Sequence, residues 1–280
     1  MYTKLNSTVQ VENFVFETDP LDSLGLRSNV PFEPEVVRSL QTLVDPGSTV
    51  LDIGANIGYF TAYMSKLVGA NGTVHAFEPE PKNFALLQRN IKINNIQNVV
   101  FHPFALGDKE VIGSLHLSNF NGGMHRLYDS ICCSDSVVEV PVVKLDTLFA
   151  PGQVSVIKID VEGFEPFVLK GAESLIKGQN IKIISEYCPP SILEAGASVT
   201  QFIERLIDWG LHAYEPDGSI IDWGDLYSDA QKWDLYGRES LICACKGKSN
   251  PEIAAFVEQK RIMLKCKRVF IENLIFRTDL

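Results

Sequence analysis

Three groups of residues in this chain have the type and spacing to hold a positively charged nucleoside. The first is Val50-Leu51-Asp52-Ile53-Gly54-Ala55-Asn56-Ile57-Gly58, an apolar run that ends in an acid and a glycine turn. A run of this kind delivers its turn to the carboxyl edge of a parallel sheet, where ligands of open α/β folds bind. Gly54 and Gly58 are expected to let backbone approach a ligand closely. The G-x-G-x-x-G spacing of dinucleotide binders is not met, because the third glycine is missing. Asp52 beside the turn would repel a pyrophosphate but attracts a ligand that carries an ammonium and a sulfonium. The second group centres on Glu78 at the end of the next apolar run, where an acid accepts hydrogen bonds from both hydroxyls of a ribose. Phe77 and Pro79 stand ready to flank the adenine. The third group is Ile157-Lys158-Ile159-Asp160-Val161-Glu162-Gly163-Phe164-Glu165. Asp160 is placed to hold the ammonium or to approach a second substrate, while Glu162 and Glu165 are acids that favour a helix N-terminus. For Glu165 the structural role is preferred. Charge therefore favours S-adenosylmethionine over a nicotinamide dinucleotide.

These acids need strands to carry them, and the chain supplies them in alternation with helical patterns from Ser48 onward, the signature of a parallel sheet with crossover helices. Strands are predicted at Ser48–Ile53, Thr73–Phe77, Val99–Phe104, Val154–Ile159, Ile181–Tyr187, Leu211–Tyr214 and Ser240–Cys245. Helices are predicted at Tyr59–Val68, Asn83–Asn94 and Glu165–Ile176, with another opened by Ser198 as a capping residue and ended by Gly210. The rhythm breaks between Asp108 and Gly152, where alternating segments at Ser114–Leu117 and Val137–Val143 flank a polar, glycine-containing stretch. This predicts an inserted hairpin with a long loop, Asn119–Asp129, lying over the second substrate. The expected organisation is a cover over residues 1–46, a ligand-binding domain over 47–248 with its insertion at 108–152, and a helical tail over 249–280. In the tail, Phe256, Met263, Phe270 and Leu274 are expected to be buried, and Lys260, Arg261, Lys265, Lys267 and Arg268 form a basic stretch. A packing or homodimerising helix is preferred there to a membrane-surface helix.

The 280 residues suffice for one large α/β domain, and the formal net charge of −10 argues against a nucleic-acid partner, which requires clustered Lys and Arg. No apolar stretch approaches membrane-spanning length, and no basic-then-apolar leader opens the chain. A cytoplasmic location is the expectation. The cysteines show no C-x-x-C pair, so free thiols are expected, with Cys243 and Cys245 on one face of a strand.

From Thr49 to Tyr187 the chain resembles the FkbM family of methyltransferases. The resemblance runs in order through Leu51-Asp52-Ile53-Gly54-Ala55-Asn56-Ile57-Gly58-Tyr59-Phe60-Thr61, Phe77-Glu78-Pro79, Ala105-Leu106-Gly107-Asp108, Leu145-Asp146, Ile157-Lys158-Ile159-Asp160-Val161-Glu162-Gly163 and Leu169-Lys170-Gly171-Ala172. It implies a class I, Rossmann-like fold with a mostly parallel seven-stranded sheet and helices on both faces. It also implies S-adenosylmethionine as cofactor and O-methylation of a sugar or secondary metabolite. The cofactor contacts expected are Asp52, Gly54, Asn56, Gly58, Glu78, Pro79, Ala105 and Asp160. A Rossmann dehydrogenase is disfavoured by Asp52 and the missing glycine. An N-methyltransferase is disfavoured because the fourth strand is followed by Asp160-Val161-Glu162-Gly163 and not by an Asn/Asp-Pro-Pro-aromatic run, although a small-molecule or peptide N-methyltransferase stays the nearest alternative. A non-catalytic module that binds the cofactor is the alternative outside enzymes.

Methyl transfer to a hydroxyl requires that the acceptor oxygen be aligned and its proton removed. His125 on the inserted loop is the first candidate for the base and Asp160 the second. Arg126 beside it hints at an acidic acceptor, and Glu162 and Glu186 complete the expected acceptor contacts. His102 and His116 sit inside strand patterns and read as structural. Acids at neighbouring strand ends are also compatible with Mg²⁺, but no ligand spacing supports that reading, so no metal site is expected.

Overall fold

The computed structural model describes residues 8–118, 121–134, 136–264 and 272–278. Its main sheet has eight strands, labelled in chain order β1 (Thr49–Ile53), β2 (Thr73–Phe77), β3 (Val99–His102), β4 (Val156–Ile159), β5 (Lys182–Tyr187), β6 (His212–Tyr214), β7 (Ile220–Ile221) and β8 (Glu272–Arg277). They lie side by side in the order β7-β6-β8-β5-β4-β1-β2-β3. The pairs from β5 to β3 are parallel, and β8 runs antiparallel to both β5 and β6.

Both faces of this sheet are covered, which is why its central strands read as nearly continuous apolar runs. Leu51, Ile53, Ile157, Ile159 and Ile183 pack into the core on one side. Val50, Val74, Val156 and Ile184 pack into the core on the other. The helices Tyr59–Val68 and Pro81–Ile93 belong to the second side, together with the cover. The cover consists of a hairpin, Thr8–Val11 paired with Phe14–Glu17, and a helix, Pro34–Leu43. Phe14 and Phe16 join the core, and Asn90 and Asn94 accept hydrogen bonds from the backbone N–H groups of Glu17 and Val15. Ser198 caps the helix Val199–Asp208 by accepting from the Gln201 N–H.

Strand order and register decide where the acids go. Ile53 pairs with both Phe77 and Ile159, and Ile159 pairs with Ser185. The next residue of each strand therefore falls in one row at the carboxyl edge: Gly54, Glu78, Asp160 and Glu186. The expected crossover architecture and the row of acids are both present.

The carboxyl-terminal third differs from expectation. Residues 240–245 are not a strand: Arg238–Cys245 is a helix, with Cys245 buried and Cys243 exposed. Its apolar run Leu241-Ile242-Cys243-Ala244-Cys245 has the composition of a strand, but burial follows a single helical face. The antiparallel strand comes from the segment expected to be helical throughout. The tail helix covers Asn250–Met263, and Glu272–Arg277 then enters the sheet between β5 and β6. Leu274 and Phe276 face one core and Ile275 the other, a period of two inside a run too short to distinguish from helix by sequence. Phe256 is half-buried in the tail helix, Met263 is exposed, and Lys265, Lys267, Arg268 and Phe270 lie outside the described residues. Cys132, Cys133, Cys188, Cys243 and Cys245 are free thiols, and Cys266 lies outside the described residues.

The insertion is a small sheet of its own, in which Val111–His116 pairs antiparallel with Val137–Val143 and Ala105–Leu106 runs parallel to the latter. The loop between them folds back, and His116 and Arg126 form an antiparallel bridge.

Candidate active site

A cavity of about 180 Å³ opens at the carboxyl edge of β1, β2, β4 and β5. Gly54, Asn56, Glu78, Pro79, Ala105 and Asp160 line it, as do Glu162, Glu186 and His125. Asp52, Gly58 and Arg126 do not.

Asp52 is wholly buried one residue below the edge, where its Oδ2 accepts from the Thr61 hydroxyl and Oδ1 has no hydrogen-bond partner. Burial raises its pKa, against the pull of Lys158, which faces it across the β1–β4 register. The two glycines serve packing. A Cβ on Gly54 would collide with the Asp160 carbonyl oxygen, and one on Gly58 would come within 2.6 Å of Leu87. Gly54 thus lets the ends of β1 and β4 touch. The expected close approach is backbone to backbone.

Glu78 is the organiser of the β2 end. Its Oε2 accepts from the Asn56 N–H at 2.8 Å and its Oε1 from the Glu80 N–H at 2.9 Å, so one carboxylate ties the β1 turn to the β2 turn. Glu80 in turn caps the helix Pro81–Ile93 by accepting from the Asn83 N–H. Burial pushes the Glu78 pKa up from its usual 4.5 to about 7. Asn56 holds a left-handed backbone conformation (φ 49°), as do Glu33 (φ 40°) and Glu162 (φ 57°). Three non-glycine residues in that sparsely populated region on one cavity wall mark local strain of a kind that collects at functional sites.

Beside Asp160 lies a charge cluster that the sequence reading passed over. Lys158 is buried, with its ammonium 3.1 Å from Asp160 Oδ2 and 4.6 Å from the centre of the Phe60 ring. Burial disfavours its charge, but Asp160, Asp52 and Glu33 together raise its pKa. Glu33, from the cover, reaches the same cavity and accepts from Asn273 Nδ2 of β8 at 3.3 Å; burial and the nearby Asp160 push its pKa up to about 7. A lysine inside the apolar run Val156–Ile159 was the one available signal. Nothing in Phe32-Glu33-Pro34 distinguished Glu33.

The inserted loop forms the outer wall. Gly122 N–H donates to Ser23 Oγ at 2.6 Å and Asn83 Nδ2 donates to the Gly122 carbonyl at 2.6 Å, which pins the loop to the cover and to the helix after β2. Asn119 and Phe120 lie outside the described residues. His125 faces the cavity, but its Nδ1 accepts from the Ser118 N–H at 3.0 Å. A ring nitrogen that accepts carries no hydrogen, so the neutral imidazole carries its hydrogen on Nε2. Burial lowers its pKa and keeps it neutral. This makes His125 a hydrogen-bond donor, contrary to the base expected from sequence. Arg126 also departs from expectation. It does not line the cavity, and its guanidinium is shared between Glu194 (2.7 Å) and Glu162 (3.1 Å), with Ser130 accepting a further bond.

At the β4 end Glu162 lines the cavity while paired with Arg126, and Glu165 turns inward to accept from the Val161 and Gly163 N–H groups. Glu186 is buried, and its Oε2 has no hydrogen-bond partner. His102 stacks on Phe77, and its Nε2 lies 2.9 Å from His75 Nδ1, a half-buried pair whose members both have lowered pKa values. Among the described residues no group of three His, Cys, Asp or Glu side chains is arranged to hold a metal ion.

The family model of the methyltransferase FkbM domain matches residues 52–213, from the buried acid of β1 to the middle of β6. The chain belongs to this family. Over 161 residues it is 31% identical to the 31-O-demethyl-FK506 methyltransferase FkbM of Streptomyces tacrolimicus, a match covering 46% of this chain and 60% of that one. It is 27% identical over 158 residues to the hexuronic acid methyltransferase AglP of Haloferax volcanii, covering 54% and 61%. Among solved structures, the FkbM methyltransferase of Methylobacillus flagellatus aligns over 60% of this chain and 37% of that one, at 20% identity and a TM-score of 0.37. The matches thus span about three fifths of the length of these sequence relatives. No helix among the described residues is long and apolar enough to cross a membrane.

Proposed function

We propose that this FkbM-family chain is an S-adenosylmethionine-dependent methyltransferase that acts on a hydroxyl group of a sugar or secondary metabolite. The observation that carries this reading is the row of Glu78, Asp160 and Glu186 on one cavity, with a single Lys and no Arg among the described lining residues. Such a lining suits a cationic nucleoside and opposes a pyrophosphate. In this reading Glu78 holds the ribose hydroxyls, Pro79 and Phe77 bound the adenine, and Asp160 with Glu33 faces the ammonium. When bound, the cofactor supplies a methyl group already activated for displacement. The chain's own task is then to exclude water, align the acceptor oxygen and take its proton. The pinned loop 121–129 provides the wall. With His125 presenting an N–H, the proton acceptor falls to a carboxylate, Asp160 or Glu162. The relatives named for 31-O-demethyl-FK506 and for a hexuronic acid support a small-molecule or sugar acceptor.

Calorimetry tests the reading. S-adenosylmethionine and S-adenosylhomocysteine are expected to bind in the micromolar range, about −8 kcal/mol, and NAD not to bind. Binding of NAD in preference to both would overturn it.

A further inference from the structure

Asp160, Glu162 and Glu186 line one cavity at the ends of β4 and β5, and their carboxyl groups are not equivalent. Glu162 has a counter-charge: Arg126 reaches it at 3.1 Å and is itself anchored by Glu194 at 2.7 Å. Tyr128 closes the same corner by donating its hydroxyl to the Glu162 carbonyl oxygen at 2.7 Å. Asp160 also has a counter-charge, in Lys158. Glu186 has none. It is 9% exposed, its Oε2 has no hydrogen-bond partner, and it lines the cavity from β5.

We infer that Glu186 is held as a neutral carboxylic acid that donates a hydrogen bond to an uncharged acceptor, beside an Arg126-bound, ionised Glu162 that receives the acceptor's proton. This deepens the methyltransferase reading and rests on it. It assigns the acceptor class: a neutral polyhydroxylated molecule and not an anion such as a uronate, because no arginine lines the cavity among the described residues and Arg126, which reaches Glu162, is spent inside the protein. Arg126 is a positioning residue. It fixes which of two neighbouring acids keeps its charge, and environments that push two acids apart in this way divide the donor and acceptor roles between them.

The charges around Glu186 agree. Burial raises its pKa well above the usual range, and Glu162, Asp160 and Glu165 raise it further, opposed only by Arg126. Glu162 is also raised by burial, but there Arg126 acts as the first opposing influence. Cys188 beside Glu186 stays a thiol, pushed up by burial and by that neighbour. Glu33, Tyr59, Glu78, His125 and Lys158 complete the titratable lining of the cavity among the described residues.

The proton balance is closed. The acceptor oxygen would gain the methyl carbon as the carbon–sulfur bond of the sulfonium breaks and its electron pair stays on sulfur; the oxygen's proton passes to Glu162, while Glu186 keeps its own throughout.

The test needs no acceptor. A buried acid whose folded pKa exceeds its unfolded value loses stability as pH rises between the two. Melting curves of wild type and Glu186→Gln should therefore coincide near pH 5 and separate progressively up to pH 8, with the variant higher by several degrees, as glutamine carries no proton to lose. Parallel curves across that range would overturn the inference. Carboxyl carbon NMR on glutamate-labelled protein gives the second measurement: Glu162 should titrate below Glu186, and Arg126→Met should raise it while Arg126→Lys largely restores it. An unmoved Glu162 would remove Arg126 from its role. On the ligand side, glucuronate added to the S-adenosylhomocysteine complex should leave the Glu186 signal unmoved, and a saturable shift would contradict the assigned acceptor class. Cofactor binding by the wild type is measured separately, so loss of the methyltransferase reading and loss of the Glu186 assignment are distinguishable.

Discussion

The Ser118 backbone N–H donates to His125 Nδ1 at 3.0 Å, and this one bond fixes what the imidazole offers the cavity. A histidine is the default general base near neutral pH, and His125 sits on the right wall for that role. Yet the accepting nitrogen is already occupied, and the other one carries the hydrogen. The expected outcome is that nitrogen-correlated NMR finds the Nε2–H tautomer at pH 7 and a titration below the ordinary histidine value of about 6.5, because burial lowers it. Folding then releases a proton between those two values, so this group's contribution to stability grows as pH rises through them. A titration above 6.5, with a rate that rises along it, would return the base to His125.

Glu78 has a measurable proton as well. Without ligand its pKa stands at about 7, from burial. A ribose that donates two hydroxyls requires the ionised form, so affinity for S-adenosylmethionine should rise with pH between about 6 and 8 and level off above. Calorimetry at pH 7 in buffers of different ionisation enthalpy should find a fraction of a proton released on binding. Glu78→Ala should weaken binding by about 1–3 kcal/mol, the range for hydrogen bonds to a charged group. Equal affinity of variant and wild type removes Glu78 from the ribose.

Arg126 should behave as part of the fold. Breaking a buried ion pair on one side costs about 3–5 kcal/mol, because the abandoned partner stays buried. Arg126→Met and Glu194→Gln should each approach that range in urea unfolding, and the double variant should lose much less than the sum. Additive losses of a few tenths of a kcal/mol would show that the pair has no structural weight.

Much of this architecture was legible because it depends on local pattern. The runs at Val50–Ile53, Thr73–Phe77 and Ile157–Ile159 are buried on both faces, and each ends in a charged or glycine residue where the core stops, so strand ends and acids could be read together. The functions of Gly54 and Arg126 depend on partners far along the chain. Gly54 is glycine because of the Asp160 carbonyl, and Arg126 pairs with a glutamate 68 residues away, in a helix that was not anticipated. Type and spacing carry no trace of such pairings. The β8 segment was lost for another reason, since Leu274, Ile275 and Phe276 are buried in the two cores in turn, and three consecutive apolar residues show neither a polar–apolar alternation nor a helical stripe.

That strand supplies the last prediction. β8 pairs with β5 along its whole length, from Lys182 with Arg277 to Tyr187 with Glu272, and its other edge pairs with β6. Leu274 and Phe276 are fully buried in one core and Ile275 in the other, while Asn273 donates to Glu33 at the cavity. Removing it would expose the facing edges of two strands and uncover three large side chains, each worth about 1.5–3 kcal/mol of burial. That sum is comparable to the whole stability of an ordinary domain, about 5–15 kcal/mol. A chain ended at Leu264 should therefore fail to fold cooperatively, with loss of near-ultraviolet circular dichroism and of the melting transition. Leu274→Ala in the intact chain should cost about 2–5 kcal/mol and keep the fold. A truncated chain that melts like the full one would mean that the sheet closes without β8 and that the residues beyond Leu264 are dispensable for folding.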